Sequence, residues 1–207
     1  MFVVASNLKA FVVDKCSGLF IESETVHEEW MGYNGGDESF AIPLSLFFVS
    51  SLSTALVDST NGHDHAVCGV EGYACKRTEK AVEVWFGSGS GSISLLEGFV
   101  FDKELKVDSN ELTIGVDEKG KRIAVGESVS GTEKMVVGVS NDTRLENISF
   151  TLPSSLGGSH TAFVWCSSSS LTVRDCSIGL GSGVASIDFC VFGASGGILT
   201  INGFVSA

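Results

Sequence analysis

Three short segments near the C-terminal end of this chain repeat one pattern. Leu145-Glu146-Asn147-Ile148, Val173-Arg174-Asp175-Cys176 and Ile201-Asn202-Gly203-Phe204 each read apolar, variable, Asn/Asp/Gly, apolar, at a spacing of about 28 residues. That period is too long for a hairpin and too short for a domain. It predicts a solenoid in which each copy is one supersecondary unit stacked on the next. In such a stack like positions form columns separated by roughly 4.8 Å. Leu145, Val173 and Ile201 are expected to point inward in one column, and Ile148, Cys176 and Phe204 in a second. Asn147, Asp175 and Gly203 fall at the bend between them, where left-handed backbone is least costly for Asn, Asp and Gly.

The rest of the chain agrees with an all-β reading. Val, Ile, Leu and Phe occur in short runs separated by Gly, Ser, Asn and Asp, and the 207 residues include only two prolines. Strands are predicted at Ile93–Phe101, Leu105–Val107, Leu112–Ile114, Lys121–Val125, Met135–Val139, Leu145–Phe150, Ala162–Cys166, Leu171–Val173, Ile187–Phe192 and Leu199–Ile201. Before them, Thr78 is placed as the cap of a short helix, with Ala81, Val82 and Trp85 on one face and Gly87 as its stop. So short a helix is unstable alone, and the open end of a solenoid core is the natural surface for it to cover.

Upstream, Phe11-Val12-Val13-Asp14-Lys15-Cys16-Ser17 echoes Leu171-Thr172-Val173-Arg174-Asp175-Cys176-Ser177, so another coil is expected there. Three parts follow: residues 1–60 as the tail of a preceding solenoid or accessory strands, 61–92 as a capping segment, and 93–207 as coils that stop without a closing cap. Such an end would present an open edge, prone to end-to-end association. Residues 39–57 are uncharged and nearly long enough to span a membrane, but Pro43 and the many hydroxyls favour a pair of buried strands. The N-terminus lacks a basic region, so no secretory signal is expected.

A formal charge of −12 repels nucleic acid, anionic headgroups and polyuronates, and no basic cluster exceeds Lys76-Arg77 or Lys119-Gly120-Lys121-Arg122. Of the six cysteines, Cys16, Cys166, Cys176 and Cys190 lie in apolar runs and read as small buried hydrophobes. Cys68 and Cys75 flank a glycine-containing turn. Turn chemistry is the first reading for this pair, a local disulfide in an exported protein the second, and zinc with His63 and His65 a third whose spacing fits no standard site.

Cys68-Gly69 with Ala74-Cys75, Glu79-Lys80-Ala81-Val82, Ile93-Ser94-Leu95 with Gly98 and Phe101, and Leu105 with Asn110 and Leu112-Thr113-Ile114 together resemble a known fold family. They are similar to the N-terminal cap and first coils of right-handed parallel β-helix proteins, the pectin-lyase-like superfamily. Phe150-Thr151-Leu152-Pro153-Ser154-Ser155-Leu156 and Cys166-Ser167-Ser168-Ser169-Ser170-Leu171-Thr172-Val173 look most like the large, repetitive, uncharacterised β-helix proteins of anaerobic flagellate protists. The resemblance covers residues 61–207 well and 1–60 loosely. It implies a right-handed parallel β-helix with a short N-terminal capping helix, and an extracellular or cell-surface setting.

Enzymes of that superfamily gather acidic and basic side chains on adjacent coils, and here the repeated strands carry Ser, Thr, Val and Cys instead. Glu28-Glu29 and Asp37-Glu38 read as solvated pairs in a glycine-rich loop. Gly193-Ala194-Ser195-Gly196-Gly197 matches Gly-x-Ser-x-Gly, but no helix pattern follows and every histidine precedes the serine. The glycine runs 87–91 and 179–183 lack the strand-to-helix setting of a phosphate cradle. Isolated His27 and His160, and scattered Trp30, Trp85 and Trp165, define no site. Asn141-Asp142-Thr143 and Asn147-Ile148-Ser149 are candidate glycosylation sequons, with Asn141 the better placed in a turn. The expectation is a non-enzymatic structural or adhesive module without catalytic residue, cofactor or metal, whose partner is a carbohydrate, a cell-surface protein or another copy. The alternative is a polysaccharide lyase or glycoside hydrolase of the same superfamily.

Overall fold

The computed structural model describes residues 2–5, 31–34, 37–87, 89–96, 98–101, 105–107, 112–115, 122–125, 135–139, 142–152, 162–167, 170–181, 190–203 and 205–206. The chain divides into two compact units, Met1–Leu52 with His65–Val67, and Ser53–Asp64 with Cys68–Ala207.

In the first unit, β1 (Phe2–Ala5) runs parallel to β2 (Met31–Asn34), which pairs antiparallel with β3 (Asp37–Pro43) and carries a bulge between Gly32 and Asn34. Asp37 and Glu38 therefore begin a strand and do not sit in a loop. A 3-10 turn, Leu44–Phe48, follows Pro43. The proline supplies no N–H, which suits the residue just before a helical turn. The uncharged stretch 39–57 is thus a strand end, a 3-10 turn and a further strand, and among the described residues no helix is long and apolar enough to cross a membrane. The expected coil at Phe11–Ser17 lies outside the described residues.

The second unit opens with β4 (Thr54–Val57) and a helix, α1 (Thr78–Ala81), that continues as a π-helical turn over Val82–Phe86. Its N-cap is Arg77 and not Thr78. Arg77 keeps extended backbone at φ −122°, while Thr78 is buried inside the first turn with its hydroxyl on Glu79. Gly87 stops the helix at φ 54°.

Among the described residues, fourteen further strands follow, in a fixed rotation among three sheets. They are β5 (Gly91–Leu95), β6 (Val100–Phe101), β7 (Leu105–Val107), β8 (Leu112–Gly115), β9 (Arg122–Val125), β10 (Met135–Val139), β11 (Thr143–Glu146), β12 (Ser149–Leu152), β13 (Ala162–Ser167), β14 (Ser170–Arg174), β15 (Ser177–Leu180), β16 (Cys190–Ser195), β17 (Ile198–Asn202) and β18 (Val205–Ser206). The first sheet is ordered β17-β14-β11-β8-β5-β4, the second β18-β15-β12-β9-β6 and the third β16-β13-β10-β7. Every pairing in these sheets is parallel. From β5 onward each strand pairs with the third strand after it, so consecutive strands never share a sheet. Parallel neighbours need such long returns, since a hairpin can join only antiparallel strands.

The rotation keeps register. On the first sheet Ala55, Ile93, Ile114, Leu145, Val173 and Ile201 pair in succession. The first five are buried, each large side chain among them contributing roughly 1.5–3 kcal/mol of apolar stabilisation. Ile201, expected to point into the core, is 44% exposed, because β17 is the outermost strand and no described strand flanks its far side. Ile148 and Cys176 are both buried at the start of the second sheet, and Phe204 lies outside the described residues. Asn147, Asp175 and Gly203 hold φ of 58°, 50° and 66°, and the Asn147 and Asp175 N–H groups donate to the carbonyls of Arg174 and Asn202.

Candidate functional site

Alternation along the strands of the first sheet turns one set of side chains away from the apolar column. Thr54, Ser92, Thr113, Arg144, Thr172 and Thr200 pair in register along one outer row. The adjacent row holds Ser94, Gly115, Glu146, Arg174 and Asn202. This outer face is where the described residues gather the most polar chemistry.

Asp142, just before β11, ties three strands together. Its carbonyl accepts the Leu112 N–H of β8 at 3.1 Å, and its carboxylate Oδ1 accepts both the Ser170 N–H at 3.0 Å and the Ser170 hydroxyl at 2.7 Å from β14. These two Ser170 bonds hold the Asp142 carboxyl below its ordinary value, against a slight opposing effect of desolvation. A hollow of about 240 Å³ opens beside it, lined by Thr113, Asp142, Thr143, Arg144, Ser170 and Thr172. Among the described lining residues the charges are one acid and one guanidinium, which suits neutral or zwitterionic polar ligands. With its pKa lowered by Ser170, the Asp142 carboxyl is ionised near neutrality and is not poised there to exchange protons.

Cys68 and Cys75 are joined in a disulfide, where the sequence placed turn chemistry first. The reason is local geometry. The backbone doubles back through Tyr73 N–H to Val70 C=O and Gly69 N–H to Tyr73 C=O, which returns Cys75 to Cys68. This loop also covers the outer edge of β4: the Leu56 N–H donates to Gly69 C=O, the Cys75 N–H to Leu56 C=O, and the Asp58 N–H to Cys75 C=O. Gly69 is required there. Its φ is 105°, and a Cβ would come within 2.7 Å of the Trp85 indole nitrogen, which donates to the Cys68 carbonyl. Asp64 accepts from the backbone of Lys76 and Arg77 and from the Arg77 guanidinium. So the disulfide loop, anchored by the indole of the helical segment, covers the outer edge of β4.

The other sequence candidates fall as follows. Sulfurs bonded to each other cannot ligate zinc, and among the described residues no three His, Cys, Asp or Glu side chains gather as a metal group. Cys176 is a free, buried thiol lying 3.4 Å from the Leu145 carbonyl. Burial pushes its pKa up. Ser195 ends a strand, and Gly196 at φ 75° turns directly into β17, so no helix aims at it. Asn147 sits in the bend, followed by fully buried Ile148, and the Ser149 hydroxyl is bonded to that of Ser177 at 2.7 Å. Asn141, His27, His160, Trp30 and Glu28-Glu29 lie outside the described residues.

Asp142, Arg144 and Ser170 escaped the sequence reading as site residues. The available signal was the alternation Asp142-x-Arg144-x-Glu146, charged at every second position from just before β11 to its end. No family model, curated protein or solved structure matches the chain.

Proposed function

We propose that this chain is a non-enzymatic structural or adhesive module, folded as a right-handed parallel β-helix of the pectin-lyase-like type and belonging to a repetitive surface protein. The observation that supports it is the in-register column Leu145–Val173–Ile201, repeated with the same left-handed bend after each strand. A chain that repeats its core column and its bends, and lines its outer face largely with hydroxyls, is built to extend a surface. Partners of this reading are a carbohydrate, a cell-surface protein, or a second copy meeting the outermost strand β17, where Ile198 and Ile201 are 68% and 44% exposed. The acidic charge argues against nucleic acid.

Asp142, just before β11, with Arg144 and Glu146 on that strand, favours a second reading, a carbohydrate-active enzyme of the same superfamily. One experiment separates the two. The full chain is applied to a glycan array and, in parallel, incubated with soluble polysaccharides while reducing ends and unsaturated products are followed. Glycan capture without product formation supports the adhesive module. Depolymerisation that disappears in Asp142→Asn or Glu146→Gln overturns it in favour of the enzyme.

A further inference from the structure

A second hollow, of about 210 Å³, lies on the outer face of β5, β8 and β11. Ser92, Ser94, Thr113, Gly115, Glu146 and Asn147 contribute to its lining. Ser94 pairs with Gly115 and Gly115 with Glu146, so a single row across three strands reads hydroxyl, notch, carboxylate. The notch exists because position 115 has no side chain. A Cβ there would come within 2.8 Å of the Glu146 carbonyl oxygen and 3.7 Å of the Glu146 Cβ.

Two polar groups border this notch. Ser94 is only 3% exposed, and among the described residues its hydroxyl has no hydrogen-bond partner. Leaving such a group unsatisfied costs about 1–3 kcal/mol. Glu146 makes no ion pair with a described residue: Arg174, its neighbour in register, turns towards Asp175, with Nε 3.5 Å from Oδ2. Among the described residues, the side chains lining the hollow include one carboxylate, several hydroxyls and no cation.

We propose that this hollow binds a protonated primary amine. An ammonium group carries three N–H donors and one positive charge, and the lining offers the complement in the Glu146 carboxylate and the hydroxyls of Ser94 and Thr113. The formal charge of −12 concentrates cations at the surface and repels anions. A calcium ion is poorly served, because it takes six to eight oxygen ligands and the described lining supplies a single carboxylate. A neutral polyol can still donate a hydrogen bond to the Glu146 carboxylate, but it forgoes the attraction between opposite full charges that an ammonium adds. The site goes beyond the scaffold role and does not depend on it.

The test is a titration of the full-length protein, followed by backbone amide resonances, with propylammonium chloride as the probe. Parallel titrations use 1-propanol as the neutral isostere, and potassium and calcium chloride as bare cations. Propylammonium is expected to shift the Ser94, Gly115 and Glu146 amides saturably. Glu146→Gln is expected to weaken the binding at least about tenfold and Ser94→Ala less, with Thr113→Val as a further variant should either fail to fold. The proposal is overturned if no saturable shift appears, or if Glu146→Gln binds like the wild type. It is equally overturned if propanol, potassium or calcium reproduces the shifts at the same concentration.

Discussion

Asp175 and Gly203 occupy equivalent bends in successive strand pairs, at φ 50° and 66°, and a Cβ on Gly203 would lie 2.6 Å from Asp175 Oδ1. The carboxylate of one bend therefore fills the space that the next bend leaves by using glycine. Asn147 precedes them with the same backbone at φ 58°. At each of these positions the chain passes from a strand of the first sheet to one of the second.

Substitutions at Asp175 should follow backbone preference more than charge. Asp175→Val is expected to destabilise the fold by about 1–2 kcal/mol, since a β-branched residue is strained in left-handed backbone. Asp175→Asn should be close to neutral. Urea midpoints of the two variants, compared at unchanged slope, provide the measurement, and equal midpoints would remove the bend from the account of stability.

The apolar column predicts a gradient of sensitivity along itself. Leu145→Ala removes a side chain that is 2% exposed and flanked on both sides, and should cost about 2–5 kcal/mol. Ile201→Ala, at 44% exposure on the outermost strand, should cost clearly less. Thermal or urea denaturation of both variants checks the order, and an Ile201 loss as large as that of Leu145 contradicts it.

The three described cysteines whose state is defined should differ sharply in reactivity. Without reductant, alkylation of the folded protein should leave Cys68 and Cys75 unmodified, because they are joined, and Cys176 slow, because burial excludes reagent and holds the thiol protonated. Opening the loop by replacing both Cys68 and Cys75 with Ser should lower stability by roughly 2–3 kcal/mol in the chain-entropy account of a short closed loop. Peptide mass mapping reads the first outcome and denaturation the second.

Acid sensitivity should trace to two aspartates. For Asp142 the Ser170 hydroxyl and N–H lower the carboxyl pKa. For Asp58 burial pushes the other way, but the N–H groups of Asn61 and Thr60 and the Asn61 side chain outweigh it, so the net shift is also downward. A folded-state value below the ordinary 3.8 means the contribution is complete above that pH and is lost as pH falls through the folded value. Stability should therefore fall on acidification below about pH 4. Ser170→Ala should move the Asp142 titration, followed by carboxyl carbon NMR, up towards 3.8. An unmoved titration would mean that the Ser170 hydroxyl does not hold this carboxylate.

Much of the strand order was legible because period-two alternation and turn residues are local properties. The segments Leu105–Val107, Leu112–Ile114, Met135–Val139, Ala162–Cys166 and Leu171–Val173 were all readable from apolar runs bounded by Gly, Ser, Asn and Asp. The predicted strand Leu145–Phe150 is in fact two strands broken at Asn147, although Asn147 itself had been marked as a bend. The N-cap was misplaced by one residue because Thr78 has the chemistry of a cap but uses its hydroxyl on Glu79.

The amino-acid sequence by itself determined the repeating columns and the residues able to bend between them, since both follow from side-chain polarity and backbone preference at each position. Only tertiary structure decided that Cys68 bonds Cys75, that Ile201 is exposed while Leu145 is buried, and that Ser94, Gly115 and Glu146 share one hollow. The disulfide depends on the backbone reversal between Val70 and Tyr73, and the other two on which strands become neighbours across some 20–30 residues of chain, a distance in space that no local propensity encodes.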